Sequence, residues 1–223
     1  MLLRNKKLIL FDLDGTLIDS GPDLALSLNL MLEELQRATF DETAIHEWVG
    51  NGALTLVKRA LSGSVTVDEN LDEQFVNKAL KIFLRLYKKN VCVKTKLFPN
   101  VKNTLRTLHD DGYTLSIVTN KPYEFVPEIL KTLEVDAYFK LILGGDSLEE
   151  KKPSPLPLLH ACKELGFTPI ESLMVGDSKN DILAAKAANI QSLAVTYGYN
   201  YGEDVSVYEP DGVIEDFKNI LKV

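Results

Sequence analysis

Five short runs, Leu8-Ile9-Leu10-Phe11, Leu115-Ser116-Ile117-Val118, Leu141-Ile142-Leu143, Leu173-Met174-Val175 and Leu193-Ala194-Val195, constrain the fold more than any other feature. Each is mostly apolar, too short for a helix and followed by polar or Gly residues. That is the pattern of a strand buried on both faces of a parallel sheet. Val213-Ile214 is a weaker candidate. Helical segments are expected around residues 100 to 109, 123 to 133, 155 to 165 and 179 to 188, with Pro99, Pro122 and Asp177 or Ser178 near their starts. Strands alternating with helices predict the α/β class, a doubly wound parallel sheet with a Rossmann-like core.

Between the first run and the second the pattern is purely helical. Pro22 suits a first helical position, and Leu24, Leu28, Met31, Leu32 and Leu35 recur at helical spacing. A second helix, capped by Asp41 or Thr43, carries Ile45, Trp48 and Val49 into Gly50-Asn51-Gly52; a third ends near Gly63. A fourth runs from about Leu71 to Lys89 with one apolar stripe that includes Phe75, Ala79, Phe83 and Leu86. The chain therefore divides into a core of residues 1–16 and 95–223 and an inserted helical unit of residues 17–94.

At 223 residues with 45% hydrophobic content, the chain can bury a sizeable core. A net charge of -7 argues against nucleic acid as a partner, since phosphate backbones select basic faces. The basic block from Lys78 to Arg106, which contains no acid, is read as a solvated helix face. Cys92 and Cys162 match no metal or redox spacing, which suits free thiols in a reducing compartment and a cytoplasmic location. No apolar run approaches the roughly 18 residues of a membrane span, and Met1 to Lys7 lacks the apolar centre of a signal peptide. No membrane association is expected.

The strand ends carry the chemistry. Asp12 and Asp14 directly follow the first run and lead into Gly15-Thr16, at the carboxyl edge where parallel sheets bind ligands. Val118 is followed by Thr119-Asn120, whose hydroxyl and amide can donate to a phosphate oxygen or cap a helix. Lys151-Lys152-Pro153 follows the third run; a lysine there either neutralises phosphate and carboxylate oxygens or stays solvated. Asp177 and Asp181 flank the start of a helix, as magnesium ligands or as an N-cap and a first-turn acid. A calcium loop fits Asp12 and Asp14 poorly, because Gly15 is misplaced for one.

In this order the four segments resemble the motifs of the haloacid-dehalogenase superfamily, with the helical unit resembling its small cap. The resemblance covers the whole chain. It implies that Asp12 attacks phosphorus to form an aspartyl-phosphate while Asp14 protonates the leaving oxygen and later activates water. It further implies that Thr119 and Lys152 hold the transferring phosphoryl group, and that Mg2+ is held by Asp12, the Asp14 carbonyl and Asp177, with Asp181 orienting its waters. The second acid, Asp14, favours phosphate over carbon as the site of attack.

The cap loop, Trp48-Val49-Gly50-Asn51-Gly52, is expected to bind substrate through Gly50, Asn51 and Gly52, together with Asn120. That loop and Val195-Thr196-Tyr197-Gly198-Tyr199-Asn200 resemble members that hydrolyse 2-phosphoglycolate. The partner is then a small phosphorylated metabolite, and the enzyme a monomer or weak homodimer. A sugar phosphomutase, or a phosphatase for another small metabolite, shares these motifs. A non-catalytic magnesium- or phosphate-binding module need not retain Asp12, Asp14, Lys152 and Asp177 together. His46, His109 and His160 lie outside every motif and receive no chemical role.

Overall fold

The computed structural model describes residues 2–223. Its centre is a six-stranded parallel sheet built from β1 (Leu8–Phe11), β4 (Thr114–Val118), β5 (Phe139–Leu143), β6 (Ser172–Gly176), β7 (Gln191–Val195) and β8 (Gly212–Ile214). Their spatial order is β5-β4-β1-β6-β7-β8. The strand order reverses direction on either side of β1, so β1 is the switch point, and a crevice opens at its carboxyl end. All four β1 residues are fully buried. Leu8 and Leu10 face one apolar layer with Leu158, Ala161 and Met174; Ile9 and Phe11 face the other, where Phe11 packs edge-on to Phe139 and against Phe217. The period-2 alternation that a half-exposed strand shows is absent because both faces of the sheet are covered.

The crossover helices are α5 (Val101–Asp110), α6 (Val126–Thr132), α7 (Leu156–Leu165) and α8 (Lys179–Ala187). The expected helix at 123 to 133 is two pieces, since a 3-10 turn over Tyr123–Phe125 precedes α6, which carries Pro127 in its first turn. Proline lacks the amide that a continuous helix would use there.

Between β1 and β4 lie α1 (Gly21–Glu34), α2 (Glu42–His46), α3 (Ala53–Ser62) and α4 (Glu73–Asn90). Asp72 caps α4 by accepting from the Gln74 amide, and Gly63 closes α3 in the left-handed conformation. Sequence periodicity did not reveal the short antiparallel ribbon of β2 (Ile18–Asp19) and β3 (Lys96–Leu97), which pairs the two chain crossings into this helical unit. Two-residue strands carry no periodic signal. Asp23 at the start of α1 reinforces the junction: fully buried, it accepts from the Lys94 and Thr95 amides and the Thr95 hydroxyl. The apolar cluster is continuous from Ile9 and Phe11 through Leu24, Leu28 and Trp48 to Phe83 and Tyr87, so the helices close onto the sheet. Cys92 and Cys162 are free thiols. Among the described residues no helix is long and apolar enough to cross a membrane.

Candidate active site

Asp12 is the first residue beyond β1 and is held in line with the sheet by its amide, which donates to Val175 O on the neighbouring strand at 2.9 Å. Its carboxylate points into the crevice. The chain then turns sharply at Gly15, where φ is +87° and a Cβ would fall 2.3 Å from Asp177 Oδ2, so only glycine fits. Thr16 Oγ1 donates to Asp177 Oδ1 at 3.0 Å, and the Tyr199 amide donates to Asp177 Oδ2 at 2.8 Å. Asp177, 2% exposed at the end of β6, therefore faces the first strand's acids from a fixed position.

Lys152 is the residue whose solvated alternative the structure rules out. It is 2% exposed, with Nζ 2.6 Å from Asp181 Oδ1 and 2.9 Å from Asp12 Oδ1. The remaining Asp181 oxygen accepts from the Ser178 amide and hydroxyl, a capping box that starts α8. Thus Asp181 caps its helix and also faces Asp12 and Asp177, so the two readings of its motif are compatible. Burial opposes the Lys152 charge, but Asp12 and Asp181 outweigh it and raise its pKa.

One lysine cannot satisfy this group of acids. Asp12, Asp177 and Asp181 each present an oxygen within 4.8 Å of the others. Asp12 Oδ1 is buried and, despite its contact with Lys152, has no partner in hydrogen-bond geometry. Burial, followed by repulsion from Asp181 and Asp14, raises the Asp12 pKa to about 6 against the pull of Lys152. Burial and then Asp12 and Asp181 raise the Asp177 pKa to about 8. Hard carboxylate oxygens, crowded and incompletely neutralised, are a donor set suited to a divalent cation such as Mg2+.

Asp14 occupies a different environment. Ser20 Oγ at 2.5 Å and Lys121 Nζ at 2.8 Å both donate to its Oδ1. Thr119 follows β4, and its Oγ1 accepts from the Lys121 amide at 3.2 Å, leaving the hydroxyl hydrogen free to donate into the cleft. Asn120 lines the same cleft, but its Nδ2 donates to Gly50 O and Lys152 O at 3.1 and 3.0 Å. It therefore ties the helical loop to the core.

The loop at Gly50, Asn51 and Gly52 is held against the strand ends by more contacts than its sequence suggested. Lys151 Nζ donates to Asn51 O at 2.7 Å, and Asn180 Nδ2 donates to Gly50 O at 3.2 Å and to Tyr201 Oη at 2.7 Å. A Cβ at Gly50 would lie 2.6 Å from that Tyr201 hydroxyl. Gly50 and Gly52 line the cleft, whereas Asn51 presents its carbonyl to Lys151. The cleft is lined by Asp12, Asp14, Thr119 and Lys121 on one side and by Leu24, Val49, Leu56, Phe83 and Tyr87 on the other. Its volume is about 40 Å³.

Residues 9–195 match the model of the family described as haloacid dehalogenase-like hydrolase. The chain belongs to the haloacid dehalogenase-like hydrolases. Among members of that family, it is 51% identical over 221 residues to a phosphoglycolate phosphatase of Colwellia psychrerythraea, covering 99% of this chain and 98% of the relative. A phosphoglycolate phosphatase of Psychrobacter arcticus is 45% identical, covering 97% and 95%. A crystal structure of a predicted phosphoglycolate phosphatase from Haemophilus somnus superposes with a TM-score of 0.90 at 41% identity, covering 98% of this chain and 97% of that one.

Lys121, Tyr87, Asn180 and Tyr201 went unassigned in the sequence. The signal available for Lys121 was its adjacency to Thr119-Asn120 at a strand end. For Asn180 it was its place between Asp177 and Asp181, and for Tyr87 no local signal exists, because it acquires its neighbours only when the helices fold over the sheet.

Proposed function

We propose that the chain is a magnesium-dependent phosphomonoesterase that works through an aspartyl-phosphate on Asp12 and hydrolyses 2-phosphoglycolate to glycolate and phosphate. Residues 1–16 and 95–223 would form the catalytic core and residues 17–94 the cap. The observation that carries the reading is the pair at the end of β1: Asp12 with an unbonded carboxylate oxygen, and Asp14 held through Oδ1 alone.

In this mechanism an Asp12 oxygen attacks phosphorus as the ester oxygen leaves, and Asp14 gives that oxygen a proton. Asp14, now ionised, takes a proton from the water that attacks the aspartyl-phosphate, releasing phosphate and restoring both acids. The Thr119 hydroxyl and Lys152 ammonium hold the transferring phosphoryl oxygens; such positioning and charge stabilisation dominate phosphoryl transfer. Asp12, Asp177, Asp181 and the Asp14 carbonyl would hold Mg2+, which when bound supplies the positive charge that lets an anionic nucleophile meet an anionic ester. The helices over the cleft would shield it from bulk solvent.

The substrate assignment is supported by the relatives named phosphoglycolate phosphatase. The test is phosphate release from phosphoglycolate, hexose phosphates and nucleotides, with magnesium or with chelator. Expected are a preference for phosphoglycolate and silence in chelator. Preferred turnover of a hexose phosphate would overturn the substrate, and undiminished turnover in chelator would overturn the metal.

A further inference from the structure

Lys121 is a buried cation that the phosphoryl-transfer scheme does not use. It is 5% exposed and lines the cleft between Asp14 and the helical unit. Burial opposes its charge, but contacts with Asp14 and Tyr87 outweigh this and raise its pKa, so it stays protonated at neutral pH. Its Nζ lies 2.8 Å from Asp14 Oδ1 and 4.9 Å from the centre of the Tyr87 ring. An ammonium has three donors, and a single carboxylate oxygen occupies one.

The second observation is Tyr87 itself. It stands on α4, is 1% exposed, lines the same cleft, and its hydroxyl has no hydrogen-bond partner. A buried unpaired hydroxyl is costly, so a bound group that accepts its hydrogen is favoured. Burial, acting against the nearby Lys121 cation, pushes its pKa up to about 12, which keeps it a donor. The other leaving-group walls, Leu24, Val49, Leu56, Phe83 and Phe125, are hydrocarbon. Two polar donors beside these hydrocarbon walls define an acceptor of one kind and place.

We propose that Lys121 and Tyr87 together recognise a carboxylate on the leaving group, so that they, more than the glycine loop, determine specificity. This rests on the phosphomonoesterase reading of the same cleft. Lys121 Nζ donates to one carboxylate oxygen while keeping its bond to Asp14, and Tyr87 Oη donates to the carboxylate as well. The substrate's negative charge replaces nothing; it meets one cation and one free hydroxyl on the leaving-group side of the cleft.

The experiment compares kcat/KM for 2-phosphoglycolate with that for 2-hydroxyethyl phosphate, the neutral ester of matching length, in wild type, Lys121→Met, Lys121→Arg and Tyr87→Phe. Wild type should favour the carboxylate by about 10- to 100-fold, the range of a charge-assisted hydrogen bond. Lys121→Met should abolish that preference, Lys121→Arg should keep most of it, and Tyr87→Phe should reduce it several-fold through KM. Should Lys121→Met fail to fold, Tyr87→Phe retains the ring packing and decides alone. An unchanged ratio in the variants, with both substrates slowed equally, would mean that Lys121 serves only to position Asp14, and would overturn the proposal. Wild type that hydrolyses both esters without preference also overturns it while leaving the phosphomonoesterase reading intact. Wild type that hydrolyses neither removes that reading, and this one with it.

Discussion

At the strand ends, Asp12 reaches the cleft and Lys152, Asp177 and Asp181 gather behind it, ionisable side chains each less than a tenth exposed and held by one another. The wall contributed by the helical unit offers Leu24, Val49, Leu56 and Phe83, with Tyr87 the polar exception. The first wall stores electrostatic stress: charges crowded at low dielectric, with two acid pKa values raised to about 6 and about 8. The second stores almost none and contributes shape. Substitutions in the cluster of Asp12, Lys152, Asp177 and Asp181 should therefore abolish chemistry, whereas those around the leaving group should change what binds.

Asp12→Asn should give the largest effect. An amide cannot serve as the nucleophile, and loss of a residue acting as part of a catalytic unit costs about 10^4-fold or more in kcat. Steady-state phosphate release measures it. Lys152→Met should follow, with kcat down by about 10^2- to 10^4-fold as the phosphoryl oxygens lose a donor. The same change leaves Asp12 and Asp181 without their buried cation, which costs about 3–5 kcal/mol of stability, readable by urea denaturation of the metal-free protein. If stability falls but turnover survives, the lysine is structural and the contrast between the walls is weaker than described.

The metal effect should depend on pH with a definite sign. Asp12 and Asp177 have folded pKa values above the ordinary 3.8, so the native state binds more protons than the unfolded chain between those limits. The metal-free fold thus holds this stabilisation below about pH 4 and loses it as pH rises through about 6 to 8. Magnesium should restore it, giving a larger increase in Tm at pH 8 than at pH 5.5 in thermal denaturation. An equal increase at both values would separate the metal from these acids.

Asn120 stands at a strand end but holds the helical loop, and Asn120→Ala removes the amide that bonds Gly50 O and Lys152 O. It should raise KM by about 3- to 10-fold, the worth of a hydrogen bond or two, with a smaller fall in kcat. A kcat loss as large as that of Lys152→Met would place Asn120 on the chemical side of the cleft.

The same contrast explains what was legible in the sequence. The strand-end wall is written in contiguous stretches, Asp12 to Thr16, Thr119-Asn120, Lys152-Pro153 and Gly176 to Asp181, because a parallel sheet sets short loops side by side at its carboxyl edge. Buried strands are equally plain, as Leu8 to Phe11 shows. The contacts that tie the helical loop to the core and the leaving-group pocket are not. Lys121 meets Asp14 across 107 residues and Asn180 meets Gly50 across 130, and neither spacing is implied by local pattern. The prolines after Lys152 were compatible with either an exposed or a buried side chain. What decides between them is the pair of acids, Asp12 and Asp181, brought to it from two other strand ends.

The central claim is that Asp12 becomes covalently phosphorylated. Wild-type enzyme mixed with magnesium and phosphoglycolate, quenched in acid within the first turnover and digested for mass spectrometry, should carry a phosphoryl group on the peptide containing Asp12, and Asp12→Asn should carry none. Turnover at the wild-type rate in Asp12→Asn, with no phosphoryl group on any peptide of either protein, would contradict it.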